Sequence, residues 1–356
     1  MISSRCRRWL VAVFFLHVSL GAGPKSGFPQ SSFYEGKSIT VVQASDAGDG
    51  ADMRMKTVLS LLKKHIPGNP TIVTQYMPGG GGKKAGNYVY KTARADGLTI
   101  GAMSTGFVAA GVLQEEGILY DTDKLIYLGS LALYAPYVFM SAKAAGLNSL
   151  DKLRKAETIR IGSQSVGHIN YTGARIFALL LDIRQAKFVP GYSAVEIDAG
   201  LMRGELDARI NPVDTILQRN AEWVEKDLMD FHAIIETPKG RKHPHPRFTN
   251  LPDLANFAKS DIERDLVGLH RGFRLLGQTI ILPPGAPEER VQVLQQAMRM
   301  TFKDPQFIKE YKKFAGEESA TLMPDEVARS IRELSKNAKA KELFKKLAGL
   351  EPLPQR

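Results

Sequence analysis

At 356 residues, with 44% hydrophobic and 24% charged residues, the chain has the make-up of a folded protein large enough for two cores, which excludes a fibrous or disordered class. A formal net charge of +11 admits nucleic acid, anionic membrane or acidic small molecules as partners. The basic residues are scattered among acids, and no basic motif is interleaved with aromatics, so nucleic acid is not expected and much of the charge reads as a solvated face.

The first residues stand apart from the rest. "MISSRCRR" is a positive segment without an acid, "WLVAVFFLHVSL" (Trp9 to Leu20) is an apolar run, and the small residues "GAG" follow. This is the order of a secretory signal peptide, expected over 1–23, and the run is too short to cross a hydrocarbon core of ~30 Å. Cleavage near Gly23 removes Arg5, Arg7 and Arg8 and lowers the net charge from +11 to +8. Cys6 precedes the apolar run, where a lipoprotein cysteine would follow it, so the mature chain is expected to hold no cysteine. That sets aside cysteine catalysis, Fe–S clusters and structural zinc, and places the protein in the periplasm without disulfides.

Further on, "SITVVQA" reads as a buried strand, "DAGDGAD" as a turn and "MRMKTVLSLLKKHI" as an amphipathic helix ending before Pro67. "PTIVTQYM" is a second strand, a glycine loop follows, then a helix from Lys83 to about Arg94, and "DGLTIGAMS" is turn and strand. "PYVFMSA" is a strand, and "NSLDKLRKA" a short helix capped by Ser149. The same unit then repeats in "TIRIGSQSVGHINYTGARIFALLL", "AKFVPGY" and "AVEIDAGLMRGELDARI". "GQTIILPPGAP" is a strand into a turn, after which Pro287, Asp304-Pro305 and "PDEVARSIRELSKNAKAKELFKKLAG" mark a helical tail with Gly349 at its end. The alternation of strand, loop and helix predicts an α/β protein with largely parallel sheets.

The run "MPGGGGKK" invites a phosphate-loop reading, which fails on spacing. A G-x-x-x-x-G-K-[ST] motif needs a glycine at Met77 and a hydroxyl at Lys84, and a G-x-G-x-x-G motif needs a glycine at Lys84. The physics of the loop remains: glycines let backbone N–H groups face an anion, and the following helix N-terminus adds positive potential. "SDAGDGAD" (Ser45 to Asp52), "GSQSVGHINY" (Gly162 to Tyr171) and "VPGYSA" (Val189 to Ala194) share this design, each after a strand and before a helix. Ligands bind at such strand ends in open α/β sheets, and four such loops in two halves point to a cleft between domains. His243 and His245 in "KHPHP" are spaced for a metal but lack a third ligand at matching spacing, so no metal and no cofactor are expected. No G-x-S-x-G elbow marks a hydrolase.

Taken in order, these pieces resemble the periplasmic substrate-binding proteins of tripartite tricarboxylate transporters, the Bug or TctC family. The resemblance runs from about Tyr34 to the end, through "ITVVQASDAGDGAD", "MPGGGGKKAGNYVYKTARADGLTIG", "IGSQSVG", "VPGYSAVEIDAGLMRGELDARI", "LPD" and "PPGAP". It implies a type II periplasmic-binding-protein (Venus-flytrap) fold: two α/β lobes, each a mixed, mostly parallel sheet flanked by helices, closing on a solute. Lobe 1 is expected over 33–141 plus 279–356 and lobe 2 over 142–278. By the same resemblance the first lobe's loops hold a carboxylate through backbone groups and water, at Ser45, Asp46, Ala47, Gly48, Gly80, Gly81 and Gly82. The second lobe's loops choose the rest of the ligand through Ser163, Gly167, His168, Asn170, Tyr192 and Asn211.

Departures from the family pattern bear on the ligand. The first loop usually reads Pro-Phe-x-Ala-Gly-Gly-Gly, whereas "ASDAGDG" adds Asp46 and Asp49. An acid beside a carboxylate site repels it unless it turns outward, and close carboxylates raise one pKa. A ligand with an amine or amide pairing with Asp46 is therefore an alternative to citrate. The resemblance implies a monomeric receptor, not an enzyme, that delivers a small organic acid to membrane permease subunits. The other readings are an exported enzyme on a similar scaffold, for which Asp46 and His168 are the nominated acid–base pair, and a sensor subunit of a signalling receptor.

Overall fold

The computed structural model describes residues 33–315, 320–334 and 336–356; the expected leader, 1–23, lies outside the described residues. The first half alternates β1 (Ser38–Gln43), α1 (Gly50–His65), β2 (Thr71–Tyr76), α2 (Lys83–Lys91), β3 (Thr99–Ala102), α3 (Thr105–Leu113) and β4 (Ile126–Ala132). The next stretch holds β5 (Tyr137–Ala142), α4 (Leu150–Lys155), β6 (Ile159–Gly162), α5 (Ile169–Leu180), β7 (Ala186–Val189), α6 (Ala194–Met202) and β8 (Ala208–Pro212). It continues through α7 (Val213–Arg219), α8 (Ala221–Glu225), β9 (Met229–Ile235), α9 (Pro246–Thr249) and α10 (Asp261–Leu276). The chain closes with β10 (Gln278–Leu282), α11 (Glu288–Lys303), α12 (Pro305–Ala315), β11 (Ala320–Leu322), α13 (Pro324–Arg332) and α14 (Ala338–Ala348).

The strands form two sheets, ordered β11-β4-β10-β3-β1-β2 and β7-β6-β8-β5-β9. Strands delivered by consecutive strand–helix units run parallel: β1 with β2 and β3, and β6 with β7 and β8. Strands that arrive by crossing between the sheets run antiparallel: β10 against β3 and β4, and β5 against β8 and β9. Both sheets are thus mixed. Because β5 pairs in the second sheet, the first crossing lies at 133–136, ahead of β5, and not at the 141/142 boundary that the sequence reading gives.

The return crossing passes through Gly277, whose φ of +67° and ψ of −143° suit glycine alone. A Cβ there would lie 1.6 Å from the Leu131 carbonyl oxygen, so the two crossing strands touch backbone to backbone. A third link is made by the tail. Helix α14 packs on α10 and α5, Tyr171 Oη donates to the Gly349 carbonyl (2.9 Å), and Arg356 pairs with Glu263 (2.8 Å).

Each sheet covers its own apolar cluster, with Met55, Val58 and Leu62 of α1 under the first and Trp223, Ile216 and Phe248 under the second. A larger cluster fills the seam, where Phe107 of α3, Phe139 of β5, Phe177 of α5, Phe273 of α10 and Phe344 of α14 all have essentially no exposure. Helices α5 and α10 carry side chains buried around most of their circumference, as helices enclosed between layers must.

Candidate functional site

The two lobes are closed on each other. Gly81, at the end of the loop after β2, lies so near the second lobe that a Cβ would meet the Gly167 carbonyl oxygen at 2.2 Å. Gly81 N–H donates to Ser165 Oγ (3.3 Å) and its carbonyl accepts from Ser104 Oγ (3.0 Å), so this glycine serves lobe contact. Gly82 N–H is taken by Gly79 O (3.0 Å). Across the same cleft, Arg54 of α1 pairs with Asp214 of α7 at 2.8 Å, both side chains at most 4% exposed. Arg219 also donates to the Gly48 carbonyl (3.3 Å), and a Cβ on Gly50 would stand 2.4 Å from Thr215 Oγ1.

Closure leaves a cavity of about 40 Å³ at the centre of the molecule. The first lobe contributes Asp49, Gly50, Ala51 and Arg54 from the start of α1, Ser104 and Thr105 from the start of α3, and Gln278 of β10. Gln164, His168, Asn170, Asn211 and Arg219 come from the second lobe, and Tyr137 and Arg274 from the seam. The helix starts converge here because each follows a strand at the same sheet end, where a tight loop must turn the chain into the helix.

A chain of hydrogen bonds fixes the second lobe's wall. Tyr137 Oη donates to Asn170 Oδ1 (2.7 Å), and Asn170 Nδ2 donates to Gln164 Oε1 (3.2 Å). The Asn170 backbone N–H donates to His168 Nδ1 (3.1 Å), which caps α5 and assigns the proton of the neutral ring to Nε2. Burial, with the Arg209 charge adding to it, pushes the His168 pKa down to about 4, so the ring is neutral at physiological pH. Asn211 is 3% exposed and its Nδ2 has no partner among the described residues.

Three guanidiniums, those of Arg54, Arg219 and Arg274, line the cavity, and only the first two have carboxylate partners. Arg54 pairs with Asp214, while Arg209 and Arg219 share Asp198. Burial opposes the Arg54 charge, but Asp214, aided by Tyr311, Tyr137 and Asp49, leaves its pKa above the ordinary value. Arg274 of α10 is 1% exposed, stacks on Tyr137 at 4.5 Å and donates to the Ala135 carbonyl (3.2 Å). Its Nε has no partner, and no carboxylate pairs with it among the described residues. Burial lowers its pKa; Tyr137 partly offsets this and the Arg54 charge adds to it. A buried guanidinium without a counter-ion is costly, and an anion in the cavity removes that cost.

Asp49 is the cavity's carboxyl group. Its Oδ1 accepts from Asp52 N–H (2.8 Å) and so caps α1. Burial raises its pKa to about 6, against the lowering effect of the Asp52 hydrogen bond and Arg54 and with the repulsion of Asp46 and Asp52.

Of the residues named from sequence, His168, Asn170 and Asn211 line the cavity. The others lie elsewhere. Ser45 is buried and accepts from Gln43 Nε2 (2.9 Å), Ala47 is exposed, and Gly48 donates to Asp52 Oδ2 (2.7 Å). Gly80, Gly81 and Gly167 form the lobe contact, Gly82 faces Ser104 and Phe107 of its own lobe, and none of the four is in the cavity wall. Ser163 is buried behind it with an unpartnered Oγ, and Tyr192 packs on the second lobe's apolar cluster. Asp46 is half-buried away from the wall, its pKa raised by burial and then by Glu196 of the other lobe. His243 and His245 spend their Nδ1 atoms on neighbouring backbone N–H groups, and no cluster of three or more His, Cys, Asp or Glu suited to a metal occurs among the described residues. Arg54, Arg219 and Arg274 are the site residues that the sequence reading missed. Each lies on a helix, Arg219 and Arg274 in the last turn of theirs, where an arginine looks like an ordinary surface charge.

The architecture defines a class: a two-lobe periplasmic-binding-protein fold, closed on a central cavity. No protein-family model and no curated protein sequence matches the chain. Among solved structures it is similar to the periplasmic binding protein BugD, at a TM-score of 0.69 and 18% identity over 88% of this chain and 98% of that one. MatC from Rhodopseudomonas palustris with bound malate gives 0.66 and 16% over 88% and 99%. Rpa4515 from R. palustris with adipate gives 0.64 and 17% over 89% and 99%. At these identities the likeness is one of fold.

Proposed function

We propose that the chain is a periplasmic receptor that captures a small carboxylate between its lobes and presents it to a tripartite tricarboxylate-type permease. The observation that carries this reading is Arg274, a fully buried guanidinium facing a closed interlobe cavity without a carboxylate partner. A carboxylate there completes the charge balance and gives the orphaned Arg274 Nε and Asn211 Nδ2 their acceptors. The neighbours bound to malate and adipate support the class of ligand, and the order of sequence motifs supports the type of transporter.

Capture follows from geometry alone. The open lobes expose Arg54, Asp214 and the cavity donors to water; closure expels that water and strengthens every hydrogen bond to the solute. An enzyme reading is not favoured, because Asp46 lies off the cavity wall and His168, with Nδ1 committed to the α5 cap, is not joined to it as an acid–base pair. Isothermal titration with a panel of carboxylates tests the proposal. The parent should bind at least one of them without turnover, and Arg274→Gln should weaken that binding by about 2–5 kcal/mol. A panel without a binder, or an Arg274→Gln variant that binds as tightly as the parent, sinks it.

A further inference from the structure

We propose that the chain from α13 onward is a strap across the hinge that restrains opening of the lobes. Releasing it widens the ligand-free cleft. It also weakens capture of the solute, a consequence that rests on the receptor proposed above.

The strap begins on the first lobe and ends on the second. Helix α13 packs on β4, beside β11, which pairs with β4 in the first sheet. Leu334 then seats on α10, so closely that a Cβ on Gly272 would lie 2.7 Å from Leu334 Cδ2. Asn337 Nδ2 donates to Asp265 Oδ2 (2.6 Å), nearer the start of the same helix. From there α14 packs on α10 and α5, with Phe344 edge-on to Phe273 at 5.3 Å. Past α14 the chain runs beside α5 from its first turn to its last. Tyr171 donates to the Gly349 carbonyl, Arg175 to the Glu351 carbonyl, and Arg356 to the Leu180 carbonyl (2.7 Å) at the end of α5, where the helix leaves its own carbonyls unpartnered. Arg356 also pairs with Glu263 in the first turn of α10, both side chains at most 10% exposed, and its hydrogen bond holds the Glu263 carboxyl below the ordinary range. Loss of one partner from so buried a pair is costly, which makes the contact an anchor.

Rotation of one lobe against the other turns α13, fixed to β4, against the anchors on α5. Arg332 and Ala338, the facing ends of α13 and α14, are six positions apart, so the link between them has little length to give. Opening must unseat α14 or pull the anchors, and either cost shifts the ligand-free protein toward the closed form. The two strand crossings touch at Gly277 and Leu131, and none of the strap's anchors takes part in that contact.

Two variants release the strap to different extents. Arg356→Gln removes the buried ion pair and leaves the rest of the tail in place, and deletion of residues 350–356 removes every anchor past Gly349. Each is read by small-angle scattering without ligand, a thermal melt, and titration with the tightest-binding carboxylate. Both should melt cooperatively and show a larger ligand-free radius of gyration than the parent. Affinity should fall about tenfold, because the closed form is then a smaller fraction of the population. A lower melting midpoint with an unchanged ligand-free radius makes the tail a passive stabiliser and overturns the strap. A larger radius in Arg356→Gln but not in the deletion reports fraying of the tail end and overturns it too. Should the deletion fail to fold, the ligand-free radius of Arg356→Gln decides alone. A wider ligand-free form in both variants of a protein that binds no carboxylate upholds the strap and removes the receptor reading.

Discussion

The Arg54–Asp214 pair should act as a latch on the closed state, and Asp214→Asn isolates it. The pair bridges the lobes at 2.8 Å with both side chains at most 4% exposed. Asparagine keeps the Oδ1 acceptor for Thr215 N–H (2.7 Å) but replaces the charged oxygen facing Arg54 with an amide or a neutral acceptor. Breaking one partner of a buried pair costs about 3–5 kcal/mol, because the other charge stays buried without compensation. In the open form both groups meet water, so this cost falls on closure alone. Ligand binding draws on closure, so the apparent affinity should fall between about a hundred-fold and a few thousand-fold. The assay is a ligand titration paired with a ligand-free thermal melt and small-angle scattering with and without solute. The expected result is weak binding, a shallow change in radius on adding solute, and a smaller shift in the melt. An affinity within about threefold of the parent would refute the latch.

Other substitutions follow from the same contacts. Gly81→Ala places a methyl against the Gly167 carbonyl, where a Cβ would sit at 2.2 Å, so it should block closure and abolish ligand-induced compaction in scattering. Gly277→Ala forces a side chain into the crossing at 1.6 Å from Leu131 O and should cost at least about 3 kcal/mol in urea unfolding. Phe273→Ala opens the shared core of the seam and should cost about 3–5 kcal/mol by the same measurement. The Asp49 pKa, raised to about 6 from 3.8, implies stability that is present below about 3.8 and lost as pH rises through 6, worth roughly 3 kcal/mol. His168, His232 and His243, each lowered to about 4 chiefly by burial, act in the opposite sense: their contribution is present above 6.5 and lost as pH falls through 4. Stability should therefore climb more steeply between those limits in Asp49→Asn than in the parent, as read by urea melts across the range.

What the sequence made legible was set by local chemistry. β1, β5, β6 and β10 announce themselves as apolar runs bounded by turn residues, and α1 by its periodicity and its stop before Pro67. Elements of the seam were not visible. α3 ("TGFVAAGVL") and β4 ("IYLGSLA") are buried almost throughout, so neither shows a polar face to give a period. α10 ("DIERDLVGLHRGFRLL") has the opposite disguise, since its Arg271 and Arg274 are buried on account of the lobes above and below. Nothing local marks that.

The site divides the same way. His168 and Asn170 at the start of α5 and Asn211 near the end of β8 are named from sequence because they fall near strand ends, where the topology places ligands, and all three line the cavity. The glycine loop reads as an anion cradle because its sequence permits one; in the structure the Gly81 N–H goes to Ser165 Oγ, the Gly82 N–H to Gly79 O, and the missing Cβ of Gly81 admits Gly167. Arg54 and Arg274 belong to the cavity through contacts more than a hundred residues apart in sequence, Arg54 with Asp214 and Leu133 with the Arg274 backbone among them. Charge on a helix has no address until the helix is placed.

The most direct test of the account is a crystal structure of the protein with the tightest-binding carboxylate from the titration. The solute's carboxylate should lie between the closed lobes within hydrogen-bond distance of the Arg274 guanidinium. A ligand bound elsewhere, or one that turns a non-acidic group toward Arg274, would contradict it.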